Sequence, residues 1–484
     1  MDKTKLRRIL LLNSGKEDNF IVNRIHLGLT LLASILTEAG HEVRIIDYAF
    51  LRHISQFVNV PSIEEVIKEF QPDVIGLSVF TYLWDDCVRL IERISCCSSA
   101  PIILGGTHFT IFPEDFSSDQ RISYIVRGEA ESVILSLVES AKKESVPVII
   151  DAPPASPEAI PACNLDVAYG SQYLERYQLQ LSRGCPHHCS FCSIPSIGGR
   201  KLRARDLNIV LDQILKAKQK YPRIKEICIT DDFPSYNKDR FKLFLQLLKE
   251  ADTGCLLWVD NMRADSIDDE MVSLYKAAGG YNICIGVETG NPEVFNLINK
   301  GESLSEIIEA AKKVRQSGLV LGLCFVIGLP EDKIERHLDS IRLAKRLRPQ
   351  YIFWNMVNPY PGTEVNKWYQ THGEVGDNRN FSTLIDPTAN FEEPRWSSRN
   401  FPKKQMIKAW LMANMETTDY LASPKNISKL FRLTRTYGTY HSFIILLFRQ
   451  VPIYMLKRSL PASVRSAIRN RYPGLVARLR NIIQ

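Results

Sequence analysis

The sequence predicts an α/β chain in three parts: a Rossmann-like doubly wound domain at 1–147, a partial (β/α)6 TIM-like barrel at 173–375 and a basic helical C-terminal extension at 376–484. Three observations predict it. Continuous β-branched runs alternate with helical patterns through two separate stretches, as in parallel sheets covered on both faces. VIIDAPPASPEAIPACNLD, at 148–166, is proline-rich and aperiodic, and places a linker at 148–172 between them. Pro402, Pro424, Pro452, Pro461 and Pro473 then divide the last stretch into short helices.

In the first domain RRILLLNSG reads as a buried strand, and LGLTLLASILTEAG (27–40) as a helix closed by Gly40. The strand HEVRIIDYAF, the helix IEEVIKEF, the strand PDVIGLSVFT and a helix around WDDCVRLIERIS follow, then the strands PIILGGTHF and SYIVRGEAE. Beyond the linker six strand signals recur: YQLQLSRG, EICITDD, CLLWVDNMR, NICIGVETG, VLGLCFVIGLP and YIFWNMVNPYPGT. Helices such as LNIVLDQILKAKQ and IERHLDSIRLAKRL lie between them. Such sheets carry their ligands at the carboxyl ends of the strands.

With 484 residues and 45% hydrophobic content, the chain is long enough for two or three well-cored domains. Eleven cysteines, an odd number, and no signal-peptide apolar region indicate a reducing cytoplasm and argue against a disulfide framework. The longest apolar runs fall far short of the roughly 20 residues of a membrane span. Net charge is +7, yet residues 425–484 hold 12 Lys/Arg and no acid, leaving 49 basic against 54 acidic residues elsewhere. The tail therefore carries the basic character. It suits either packing with a solvated rim or peripheral contact with a membrane surface, and nucleic acid is disfavoured.

RGCPHHCSFC, at 183–192, places three cysteines within eight residues after the first barrel strand. Thiolates so close need a soft metal, a disulfide or protons. A structural zinc site would want a fourth ligand, commonly from a second pair downstream, and His187 and His188 cannot easily turn back onto the same ion. An iron–sulfur cluster held by three cysteines keeps one iron open, the mark of a site that does chemistry.

Cys185-x3-Cys189-x2-Cys192, with Phe191 inside it, resembles the signature of the radical S-adenosylmethionine (SAM) superfamily. The resemblance implies a [4Fe–4S] cluster on Cys185, Cys189 and Cys192 whose open iron chelates SAM and reduces it to a 5′-deoxyadenosyl radical. Phe191 would seat the adenine end. Asp231 and Asp232 of ITDDF end strand two where the family places polar groups on the SAM ammonium, with DDF standing in place of the usual GGE. Arg263 of NMRAD, and Glu288 with Gly290 of GVETG, are similar to ribose- and carboxylate-binding positions. Gly328, Pro330 and Glu331 of FVIGLPE resemble the strand-five motif beside the adenine. Each alone is an ordinary βα turn; their joint occurrence carries the resemblance. PYPGT (359–363) narrows it to the subgroup whose N-terminal domain binds cobalamin, over about residues 5–375.

The first domain agrees. Ser78 ends its third strand, and Gly105, Gly106 and Thr107 end its fourth, small residues that let a broad ligand approach the backbone. RGEAE (127–131) is typical of the same family, and no GxGxxG follows the first strand. NFIVNRIHLG contains His26 but not the DxHxxG of methionine-synthase-type domains, so cobalamin is expected without histidine ligation, and His108 is expected as a hydrogen-bonding wall. The resemblance implies a cobalamin-dependent methyltransferase acting on an unactivated carbon of a small-molecule or lipid-like substrate, supplied with electrons by a flavodoxin or ferredoxin. Alternatives are a cyclase or oxidative enzyme of the anaerobic magnesium-protoporphyrin monomethyl ester type and a non-catalytic cobalamin or redox sensor. No catalytic side chain is singled out.

Overall fold

Strand β1 (Arg8–Asn13) is buried from Ile9 onward because it has a parallel neighbour on each side, Ile9 pairing with Val43 of β2 (Glu42–Asp47) and with Val74 of β3 (Val74–Ser78). This computed structural model describes residues 6–15, 23–260, 262–375, 394, 396–418, 424–452 and 454–455. With β4 (Ile102–Gly105), β5 (Tyr124–Gly128) and β6 (Val148–Ala152) these strands form one six-stranded parallel sheet in the order β2-β1-β3-β4-β5-β6. The order of strand addition reverses at β1, which opens a crevice at the carboxyl ends of β1 and β3.

Both ends of the expected linker, 148–172, pair with this sheet. β6 pairs in parallel with β5 as an edge strand that leaves Val148 and Ile149 exposed. Further along, Ile45 N–H donates to Val167 O at 2.8 Å and Tyr169 N–H to Ile45 O at 3.0 Å, closing the opposite edge. Prolines are tolerated at such edges, and their density hid the pairing.

The second unit begins at β7 (Arg176–Leu179), followed by an antiparallel clip of β8 (Ser182–Arg183) and β9 (Arg203–Ala204) that frames the cysteine loop. Parallel strands β10 (Glu226–Ile229), β11 (Leu256–Val259), β12 (Asn282–Glu288), β13 (Val320–Ile327) and β14 (Tyr351–Met356) follow in spatial as in chain order. Single bridges, Leu257 to Gly280 and Met262 to Ile285, link β11 and the residues after it to β12 and the residues before it. The result is the open six-stranded barrel that the repeat predicts. Its helices cover it with one face each: Lys238–Glu250 buries Phe241, Phe244, Leu245 and Leu248, the spacing of a single helical stripe. Ser62 with Glu65, and Ser303 with Glu306, form capping boxes that start two of the helices.

Part of the extension expected to be helical, 376–484, is a strand: β16 (Trp396–Ser398) pairs antiparallel with β15 (Gly373–Val375). Residues 376–393 and 456–484 lie outside the described residues. The helix Lys403–Thr417 docks on the last barrel strand, Trp410 Nε1 donating to Trp354 O at 3.1 Å and Trp354 Nε1 to Thr417 Oγ1 at 2.8 Å. Among the described residues no helix is long and apolar enough to cross a membrane.

Candidate active site between the two domains

A cavity of about 500 Å³ opens where the carboxyl ends of the two sheets face each other. Asn13, Ser78, Gly106, Thr107 and Gly128 line it from the first domain, and Gln178, Gln180, Arg183, Thr230 and Asp232 from the barrel. Residues expected to meet cobalamin and one expected to meet SAM thus share a single space. Gly106 has φ +97°, and a Cβ there would stand 2.7 Å from Val79 N and 2.9 Å from Ser78 Oγ. Only glycine fits. Gly105, expected beside it, does not line the cavity, and a Cβ there would make only ordinary contact, 3.8 Å from Val126 O. Thr110, missed in the sequence, ties two strand ends together: its hydroxyl accepts from Gly128 N–H at 3.0 Å and donates to Gly106 O at 3.2 Å.

His26 lies in the same wall with both ring nitrogens engaged. Nδ1 accepts from Leu29 N–H at 3.4 Å, capping the helix Leu27–Glu38, so Nε2 carries the proton and donates to Ser78 Oγ at 3.1 Å. Burial lowers its pKa to about 4. A neutral imidazole spent in this way has no lone pair for a cobalt ion. Asn13 Oδ1, buried at the end of β1, has no hydrogen-bond partner, while its Nδ2 donates to Asp47 Oδ1 at 2.9 Å. It is an acceptor open to a ligand's amide, and cobalamin is rich in amides. His108 is not a cavity wall. It is fully buried, with Nε2 3.1 Å from Asp115 Oδ2 and its ring against Trp84 and Phe112.

Cys185, Cys189 and Cys192 are free, half-buried thiols on one loop. The loop is pinned along its length. Cys185 N–H donates to Gly199 O at 3.1 Å, Cys192 N–H to Cys189 O at 3.1 Å, Ser190 N–H to Ile298 O at 2.9 Å and Val365 N–H to Ser190 O at 3.0 Å. Thr363 of PYPGT caps the helix that supplies Val365, so that motif supports the cysteine loop. Gly184 (φ +86°) starts the loop, where a Cβ would meet Lys201 O at 2.5 Å. Burial pushes the Cys192 thiol up to about 12, so thiolates here require a cation. Among the described residues no three His, Cys, Asp or Glu stand close enough to share one metal ion. Cysteines on separate irons of a cluster do not need to, and the soft donor set fits one. Phe191, between two of the cysteines, packs half-buried against the core.

The SAM-side expectations divide. Asp232 lines the cavity and accepts from Gly184 N–H at 3.0 Å. Asp231 does not reach a ligand: it is fully buried, accepting from Leu181 N–H at 2.7 Å and Ser182 Oγ–H at 2.6 Å, and burial raises its pKa to about 7. The adjacent carboxylates point to opposite sides of the strand end. Gly328 (φ +90°) shapes a turn, with its N–H given to Asp332 Oδ2 at 3.1 Å and its carbonyl accepting from Tyr369 Oη. Both backbone polar groups of Gly328 therefore already have a partner within the protein.

Arg263 and Glu288 converge beneath Cys189 through a residue the sequence did not flag, Lys300. Arg263 Nη1 donates to Lys300 O at 2.7 Å, the same carbonyl that Cys189 Sγ approaches at 3.9 Å. Lys300 Nζ lies 3.2 Å from both Glu288 Oε1 and Glu302 Oε2. Burial alone would lower its pKa, yet the two carboxylates hold it above the ordinary value. Glu288 has φ +66° at an irregularity in β12 that turns its side chain toward Lys300.

The family models agree with this layout. The Radical SAM superfamily model matches residues 179–344 and the B12 binding domain model residues 24–138, together more than half of the chain. The chain is 27% identical over 446 residues to an uncharacterized methyltransferase of Pyrococcus horikoshii, spanning 87% of this chain and 91% of that protein. It is 25% identical over 387 residues to the anaerobic magnesium-protoporphyrin IX monomethyl ester cyclase of Cereibacter sphaeroides, spanning 73% of this chain and 62% of that one. Among solved structures, the radical S-adenosylmethionine methyltransferase TsrM from Kitasatospora setae, with tryptophan substrate and a SAM analogue bound, superimposes with a TM-score of 0.62 at 18% identity over 76% of this chain and 78% of that one. TsrM has also been solved with cobalamin and a [4Fe–4S] cluster bound. The chain belongs to the B12-binding-domain-containing radical SAM superfamily, and its two domains take a [4Fe–4S] cluster, S-adenosylmethionine and cobalamin as cofactors.

Proposed function

We propose that this enzyme methylates an unactivated carbon of a small-molecule or lipid-like substrate held between its two domains. The observation that carries the reading is the shared cavity, whose walls are the strand ends of both sheets. Once bound, the cofactors supply the methyl group and the radical that opens the substrate C–H bond. Cys185, Cys189 and Cys192 would hold the cluster, with Phe191 seating the adenine end of SAM. Asp232, on the cavity wall, would hold the SAM ammonium, while Arg263 and Glu288, tied to Lys300, set the floor beneath Cys189. Ser78, Gly106 and Thr107 leave room for the corrin face, and Phe80, Leu83, Ile194 and Ile197 keep water from the reacting carbon. A flavodoxin or ferredoxin supplies the electron.

Turnover with methyl-labelled SAM under anaerobic conditions tests this: label in the product supports methylation. An unlabelled, ring-closed or oxidised product would instead favour the cyclase reading, which the Cereibacter relative supports. Protein that carries cluster and corrinoid yet forms no 5′-deoxyadenosine would be a sensor.

A further inference from the structure

The last described helical segment is apolar on two opposite faces. Tyr440–Ile445 continues through a π-helical turn, Leu446–Gln450, to residue 452. Its inner face packs on the helix Lys403–Thr417: Phe443 and Leu446 are buried, Ser442 Oγ–H donates to Glu416 Oε1 at 2.7 Å, and Gln450 Nε2 donates to Glu416 O at 3.2 Å. The outer face of a surface helix is ordinarily polar. Here it carries Tyr440 (53% exposed), Ile444 (52%) and Phe448 (82%), spaced four residues apart, with Leu447 beside them and Met455 (56%) two turns beyond. Phe431 of the preceding helix is also exposed, its ring centroid 5.6 Å from that of the buried Phe443. A contiguous apolar surface of this kind marks a docking site.

Charge identifies the partner. The segment 425–484 that bears the patch has 12 Lys/Arg and no Asp or Glu, while the rest of the chain is net acidic. An apolar, aromatic-bearing stripe set in wholly basic sequence matches an anionic lipid surface, where side chains enter the acyl boundary and cations meet headgroups. A second copy of the chain would bring the same positive charge to the contact and be repelled. We propose that the face formed by Tyr440, Ile444, Leu447, Phe448 and Met455 docks the enzyme on an anionic phospholipid bilayer. This docking is independent of which reaction the active site performs.

Flotation of the full-length protein with phosphatidylcholine vesicles, with and without phosphatidylglycerol, tests the proposal. Binding should require phosphatidylglycerol, fall as salt is raised, and weaken by at least about tenfold in the Ile444→Glu/Phe448→Glu double variant, whose side chains face outward. Circular dichroism and iron content should match the wild type. Lack of binding to anionic vesicles, or equal flotation of wild type and variant, overturns the proposal. So does a dimer in solution that the same double variant abolishes, since the face would then belong to a second copy.

Discussion

Arg183, two residues before Cys185, donates through Nη2 to Glu131 Oε1 of the first domain at 2.7 Å. Its Nη1 donates to Glu129 Oε2 at 2.9 Å, and Glu129 also holds Arg203, on the strand paired with that of Arg183. Both arginines of the clip that frames the cysteine loop are therefore anchored on the RGEAE segment. The two cofactor domains are joined by charge pairs at the point where their chemistry must meet.

Removing one partner of a buried ion pair strands the other without solvent, at roughly 3–5 kcal/mol. Arg183→Ala should lower the unfolding free energy by about 3 kcal/mol, and Glu131→Gln by less, because the amide still accepts a hydrogen bond. Burial alone would raise the pKa of Glu129, but Arg203 and Arg183 hold it below its ordinary value. Its contribution is thus complete above the ordinary carboxylate pKa and is lost as pH falls through the depressed one. Urea titrations across the acid range should show the wild type losing this increment and Arg183→Ala losing less.

Replacing Cys185, Cys189 or Cys192 by alanine should abolish bound iron and 5′-deoxyadenosine formation without unfolding the chain, since all three are only half-buried. Cys87→Ala, in the core of the first domain, should keep its iron and lose stability instead. Iron content and a thermal melt, measured together on each variant, separate the two outcomes.

Gly106→Ala forces a side chain into left-handed backbone and to within 2.7 Å of Val79 N. A cost of about 2 kcal/mol or more is expected, together with loss of corrinoid binding because the Ser78 wall must shift. Gly105→Ala should bind corrinoid as the wild type does. Corrinoid absorbance after gel filtration reads both.

His26 has its pKa lowered from 6.5 to about 4 by burial. Between those values the unfolded chain takes up a proton that the folded chain does not, so stability falls as pH drops through this window. His26→Ala should remove that component and cost about 1 kcal/mol for the lost helix cap. Its bound cobalamin should keep the wild-type absorption and paramagnetic spectra, because both imidazole nitrogens are engaged by Leu29 and Ser78.

Asp231 has its pKa raised from 3.8 to about 7, so the folded state favours the protonated acid and stability declines as pH rises across that range. Asp231→Asn should flatten this decline and leave SAM binding unchanged, whereas Asp232→Asn should weaken SAM binding. Denaturant midpoints from pH 5 to 8, with equilibrium dialysis against SAM, distinguish the neighbouring carboxylates.

Both sheets, the order of the barrel strands and the cysteine loop were legible in the chain itself, because alternating buried strands and one-sided helices leave a local periodic trace, and the three cysteines lie within eight residues. Edge pairing by the proline-rich 148–172 left no such trace, and neither did the choice between Asp231 and Asp232, which depends on which way a strand end turns. Tertiary contact also decided that Gly106 needs to be glycine and Gly105 does not, since only the former presses on the Val79 backbone just after β3. Lys300 beneath Cys189, and Glu129 and Glu131 on Arg183, are separated in sequence by 111, 54 and 52 residues. Partners of buried charges are selected by the geometry of the closed fold, because only there does desolvation make an unpaired charge intolerable.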